Sequence, residues 1–233
     1  MENKTKKMRP RIQALSDLIF GLALSISALI LIAQQPATNE QLFASLGLYS
    51  FSFLVLIGIW QSYSSVTSIL PSETAGLTDL NVLLLFGVSV EPYLFNELFS
   101  VKGSISSTVS GVYSIDLAAM FLILAFFNQP LAKEEKKIVS ENLLSRYKLA
   151  RNIYLVNVAI LAISTAPIFG MTVFHYSAPE ISYDFTLRGA LWIAALVVGY
   201  SKRLFDYHLY SGAKTDALTV SNSRNLLKGG EKQ

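Results

Sequence analysis

Arg11-Ile12-Gln13-Ala14-Leu15-Ser16-Asp17-Leu18-Ile19-Phe20-Gly21 runs without a break into Leu22-Ala23-Leu24-Ser25-Ile26-Ser27-Ala28-Leu29-Ile30-Leu31-Ile32-Ala33. From Leu15 onward this stretch holds a single charged residue, Asp17. A helix needs about 20 mostly apolar residues to cross a bilayer core, so Leu15–Ala33 reads as a transmembrane span. The apolar run is longer than the ~7–15 residues of a signal-peptide core, which favours a retained helix.

Five more blocks follow: Leu42–Trp60, Leu80–Leu98, Val109–Phe127, Ile153–Phe174 and Leu187–Tyr200. The last is short, but Arg188, Lys202 and Arg203 can snorkel to its two interfaces. Composition agrees with a membrane protein: 52% of the 233 residues are hydrophobic and 15% charged, against about 25% charged in soluble domains. The expected fold is an all-α membrane protein of six transmembrane helices.

Basic residues set the orientation. All but Lys102 and Arg188 of the 19 Lys and Arg lie before the first block, between the fourth and fifth, or after the sixth. Cytoplasmic segments are rich in Lys and Arg, so six spans with both termini cytoplasmic is the reading that fits. The transmembrane domain then covers residues 1–205, with a cytoplasmic linker at 128–152 and a polar cytoplasmic tail at 206–233 expected to be disordered. Asn128-Gln129-Pro130 reads as a helix stop. Val139, Leu143, Tyr147 and Ala150 recur at helical spacing, suggesting an amphipathic helix on the membrane face or docked on a neighbour.

Several function classes find no footing. The chain has no cysteine, hence no disulfide framework and no thiolate ligand. His175 and His208 have no metal-ligand spacing and read as loop residues. Phosphate-binding loops, H-E-x-x-H and G-x-S-x-G are missing, so neither an enzyme nor a bound cofactor is expected. The net charge of +3 is spread over separate loops, which points to a lipid bilayer as partner and not to nucleic acid.

Ionisable groups inside a bilayer cost roughly 2.5–3.5 kcal/mol each on insertion scales, so the few present are candidates for function. Asp17 lies near the start of the first span, where the helix dipole favours a negative charge. Gly21, Ala23, Ser25, Ser27 and Ala28 keep that helix slim. Leu22, Ile26 and Leu29 share one stripe with Ser25 beside it. On a symmetry axis such a stripe stacks rings of bulky side chains, a constriction that gates by dewetting. Glu91 and Asp116 fall at similar depth in the third and fourth spans. They read as lining a water-filled vestibule, as packing against Arg188 or helix-end amides, or as carrying protons. Pro92 removes a backbone donor beside Glu91. Trp192, Tyr93, Tyr113 and Tyr200 read as interfacial or packing aromatics.

Arg11-x-x-x-Leu15-Ser16-Asp17 resembles the R-x-x-x-F-S-D signature that opens the first helix of the transmembrane protein 175 family, whose members include endosomal and lysosomal potassium channels and prokaryotic relatives. Ser52 through Trp60 is similar to the family's S-F-x-x-x-x-x-x-W stretch, and Asn81 stands ahead of Leu83-Leu84-Leu85 as in its third helix. Leu15 replaces the usual Phe, and Gln61-Ser62-Tyr63-Ser64 stands where a His commonly follows the Trp.

The resemblance implies a homotetramer in the plasma membrane of a prokaryote, with the first helix of each subunit lining a central pore. It implies Leu22, Ser25, Ile26 and Leu29 as pore-lining residues, with Leu22 and Leu29 as the hydrophobic rings. Arg11, Ser16, Asp17, Trp60 and Asn81 become the polar support of the pore helix. The implied function is a potassium-preferring, weakly selective cation channel, with K⁺ as the permeant ion and Na⁺ and H⁺ as further candidates. No T-V-G-Y-G filter and no arginine-rich voltage sensor occur, which agrees with modest selectivity. The rival is a proton-coupled secondary transporter using Glu91 and Asp116. A non-conducting interaction protein is a third reading.

Overall fold

The computed structural model describes residues 10–33, 38–68, 75–100, 104–132, 141–178 and 181–201, with side chains placed at 12–33, 38–68, 76–98, 107–130, 144–173 and 186–201. The order is α1 (Pro10–Ala33), α2 (Asn39–Thr67), α3 (Ala75–Ser100), α4 (Ser104–Ala132), α5 (Glu141–Ser164), a 3₁₀ turn (Pro167–Gly170), β1 (Thr172–Ala178), β2 (Ile181–Thr186) and α6 (Leu187–Ser201). By length and composition α1, α2, α3 and α4 can each cross a membrane.

Local chemistry sets the helix ends. Pro10, with no N–H to waste, opens α1. The Thr38 hydroxyl caps α2 by accepting from the Gln41 N–H at 3.2 Å, and Glu40 complements the positive end of the dipole. The helix α4 runs past the expected stop at Pro130 to Ala132. Just before that proline, the Asn128 amide donates to the Leu124 carbonyl at 2.7 Å.

Two parts of the second half depart from the sequence reading. First, α5 begins at Glu141, so the linker 128–152 contracts to residues 133–140, which lie outside the described residues. Tyr147 and Ala150 are not a separate surface helix. They are buried on the first turns of α5, in line with Tyr154 and Leu161, and pack it along α4. Secondly, the apolar run Ile153–Phe174 is not one helix. Hydroxyls of Ser164 and Thr165 bond back to the carbonyls of Leu161 and Ala162, both at 2.6 Å, and Pro167 cannot continue the ladder. The chain then forms an antiparallel hairpin pairing His175 with Asp184 and Tyr176 with Tyr183, with an irregularity between Thr172 and Phe174. β-branched and aromatic residues fill both strands, as a pleated surface prefers. His175 is therefore on a strand, while His208 and the tail 206–233 lie outside the described residues.

The bundle is built outward from two contacts. Within the subunit, α1 packs chiefly on α2 and α3, and α4 joins these to α5. Lipid tails are as apolar as leucine, so close packing and interhelical hydrogen bonds, not hydrophobicity, hold such helices together. The buried set fits that requirement: Ser16, Ser27, Ser52, Asn81, Ser114, Asn128, Asn157 and Ser164 sit among Phe20, Leu56, Leu84, Leu117 and Leu124.

Candidate functional site

The first helix has two faces, and the sequence assigns them. Ser16, Phe20, Ala23 and Ser27 recur at steps of four, three and four, and all four are buried against the rest of the subunit. Leu22, Ile26 and Leu29 point away from it, at 52%, 45% and 62% exposed, and Ser25 is exposed among them. Leu15, Leu18 and Ile32 extend the same stripe to both ends. The Ser25 hydroxyl folds back on the Gly21 carbonyl at 2.8 Å, so its oxygen stays free to accept.

At one end, the buried face is fixed by a polar cluster. The Ser16 hydroxyl donates to the Ile12 carbonyl at 2.9 Å. With its proton so placed, the oxygen accepts from the Tyr63 hydroxyl at 2.9 Å and from the Asn81 amide at 3.3 Å. One hydroxyl thus ties α1 to α2 and α3 with its full hydrogen-bonding capacity used. One residue further round, Asp17 accepts from the Trp60 indole N–H at 2.9 Å. Ser16, Asp17, Trp60 and Asn81, expected as a support network, do come together. Arg11 begins the same helix, and its side chain lies outside the described residues.

Tyr63 was missed. It lies three residues past Trp60, hence on the same side of α2, and is fully buried. Its ring packs on Phe20 at 6.0 Å and meets Phe127 edge-on at 5.9 Å.

A second cluster occupies the opposite end of α1. Glu91 is wholly buried. Ser52 donates to its two oxygens at 3.0 and 3.1 Å, and the Tyr113 hydroxyl donates at 3.2 Å. Ser27 of α1 stands 3.5 Å from the Ser52 oxygen and donates to the Ala23 carbonyl at 3.1 Å. Tyr113 is a core residue, the packing alternative of its sequence reading, with its ring edge-on to Trp192 at 4.9 Å. The Trp192 N–H donates to Ser114 at 2.8 Å.

Glu91 is enclosed by its own subunit, and among the described residues neither Glu91 nor Asp116 pairs with Arg188. Asp116 is half-buried on α4 against Gly87, with one oxygen buried and unpartnered among the described residues. The Arg188 guanidinium is instead buried among oxygens at the end of α5 and the start of α4. It donates to the Ser164 carbonyl at 2.7 Å, the Ser107 carbonyl at 2.9 Å, the Thr165 and Ala166 carbonyls at 3.4 Å and the Ser110 hydroxyl. Carbonyl dipoles replace the expected carboxylate.

Residues 11–92 match the family described as the endosomal/lysosomal potassium channel TMEM175. The fold is similar to the crystal structure of a lysosomal potassium-selective channel TMEM175 homolog from Chamaesiphon minutus. The TM-score is 0.54 at 17% identity, over 83% of this chain and 95% of that one. It is also similar to the crystal structure of a variant of the potassium channel MtTMEM175 in complex with a nanobody–MBP fusion, with a TM-score of 0.50 at 17% identity over 90% and 96%. No curated protein matches. The two structures speak for the fold, and the family match covers the helices that carry the Ser16-Asp17, Trp60 and Asn81 marks.

Proposed function

We propose that this chain is one subunit of a homotetrameric, potassium-preferring and weakly selective cation channel, whose pore is lined by α1. The observation that carries the reading is the division of α1 into a face bound by hydrogen bonds to its own subunit and an exposed face bearing Leu22, Ser25, Ile26 and Leu29. Four copies of that face around an axis make rings of Leu22 and Leu29 that shed water, with a hydroxyl ring at Ser25 between them. Arg11, Ser16, Asp17, Trp60 and Asn81 set the rotation of the helix and so choose which side chains meet the axis. The potassium channels named among the similar proteins support the ion. With no backbone-carbonyl filter, selectivity rests on a narrow apolar neck and hydroxyls, and is modest. We read the chain as crossing the plasma membrane of a prokaryote six times with both termini cytoplasmic, α5 and α6 completing the count.

Planar-bilayer recording of the purified protein under bi-ionic K⁺/Na⁺ conditions tests this. Currents favouring K⁺ are expected, and Leu22→Ala or Leu29→Ala should alter conductance. Unchanged conduction in both variants would remove the constriction from α1. The burial of Glu91 beside Asp116 favours the transporter as second reading; it calls for saturable uptake that E91Q and D116N abolish, with the α1 stripe indifferent.

A further inference from the structure

A carboxylate withdrawn from water needs a cation, several strong donors or a proton. Glu91 is wholly buried within α3, and its donors among the described residues are two neutral hydroxyls, Ser52 and Tyr113. The groups that face it are these two, Asp116 from α4 and, through Ser52, Ser27 of α1. Neither α1 nor α2 brings a charged side chain to it among the described residues. The nearest buried cation, Arg188, spends its donors on carbonyls and Ser110.

A narrow cleft leads toward this site between the ends of α1, α2 and α3, lined by Ser27, Ser45, Tyr49, Ser52, Pro92 and Asn96. Apolar side chains, Leu31, Leu48 and Phe95 among them, make up most of its wall, and Ser52 belongs to both the cleft and the Glu91 cluster. Such a passage leaves room for water and protons and none for a bulky solute.

We propose that Glu91 is a reversible proton-binding site, loaded through this cleft and coupled to α1 through Ser52 and Ser27. The coupling follows from counting hydrogens. With Glu91 ionised, Ser52 gives its one proton to the carboxylate and Ser27 gives its own to the Ala23 carbonyl, so no proton lies between the two hydroxyls. One proton added to the carboxylate makes Glu91 a donor, and Ser52 accepts from it. The Ser52 proton is then released to Ser27, whose own proton remains on the Ala23 carbonyl. The α1–α2 contact gains a hydrogen bond with no other atom exchanged. At 3.5 Å that contact is long enough to tighten when the bond forms. Glu91 is thus a positioning residue for α1, and this inference rests on the channel reading of that helix.

The test is K⁺ efflux from proteoliposomes across a pH series, alongside infrared difference spectra of the same protein. Occupancy of one site changes about tenfold across two pH units, so wild-type efflux should change by up to that factor. E91Q should be flat at the acid-limb level and should lose the protonated-carboxyl band. S27A should keep the band but lose the pH response of efflux, and D116N should keep both. S27A also serves if E91Q does not assemble. An E91Q or S27A profile that overlays wild type would overturn the proposal, as would a carboxyl band unaffected by E91Q. Absence of efflux from every protein, with the band still titrating and lost in E91Q, would instead fault the channel reading and leave the proton site standing.

Discussion

The Ser16 hydroxyl is the smallest group on which the arrangement of α1 depends. Ser16→Ala leaves the Tyr63 hydroxyl and the Asn81 amide without their acceptor in a buried place, at about 1–3 kcal/mol for each group left unmade. The thermal midpoint of the detergent-solubilised protein should fall clearly. Tyr63→Phe, which removes a partner and keeps the ring, should cost about 0.5–1.5 kcal/mol. A Ser16→Ala midpoint equal to wild type would show that the cluster does not hold the helix. Much of this site was legible: Asp17 stood out as a charge in an apolar span, and the family resemblance marked Ser16, Trp60 and Asn81. Tyr63 did not, because an aromatic phenol near a span end reads equally well as packing. Only the fold brings position 63 against position 16.

At the scale of elements, Arg188 is what lets α5 end inside the bundle. Its fork satisfies three successive carbonyls, Ser164 to Ala166, that a broken helix would leave bare. Arg188→Met should lower the thermal midpoint and make the 165–171 turn a site of early proteolysis. Arg188→Lys should recover only part of the loss, since an ammonium cannot reproduce a planar fork of donors. Gly87 tests the approach of α3 to α4. An added Cβ there would stand 3.0 Å from the Met120 Cγ and 3.1 Å from an Asp116 oxygen. Gly87→Ala can be relieved by the flexible methionine, whereas Gly87→Val should cost about 1–3 kcal/mol through overpacking, seen in the same melting assay. The first four helices were legible because their periodicity coincides with spans of uniform length. The hairpin was not, since Thr172-Val173-Phe174 prolongs an apolar run. Pro167 and the alternating aromatics of 172–186 carried the signal.

For the whole molecule, the proposed tetramer rests on contacts between copies that a single chain does not hold. The sequence has no cysteine, so introduced thiols report contacts without background. Cysteines at Leu22, Ser25 or Leu29 should cross-link copies of the chain in membranes, giving disulfide-bonded dimers on non-reducing gels. Cysteines at Phe43 or Val197, which are as exposed but lie on other helices, should not. Equal cross-linking at all five positions would mean random collision and no shared axis. Orientation and span count could be argued from the basic residues, but subunit number could not, because in the proposed tetramer the residues that set it belong to different copies.

The way α1 leans on α2 and α3, with α4 carrying the connection onward, has a mechanical consequence. A displacement of α5 is passed to α1 by way of α4 and then α3 or α2, so a substitution on α5 should disturb the exposed stripe of α1 less than one on α3. The family match ends at Pro92, on α3, while the likeness of fold extends over 83% of the chain.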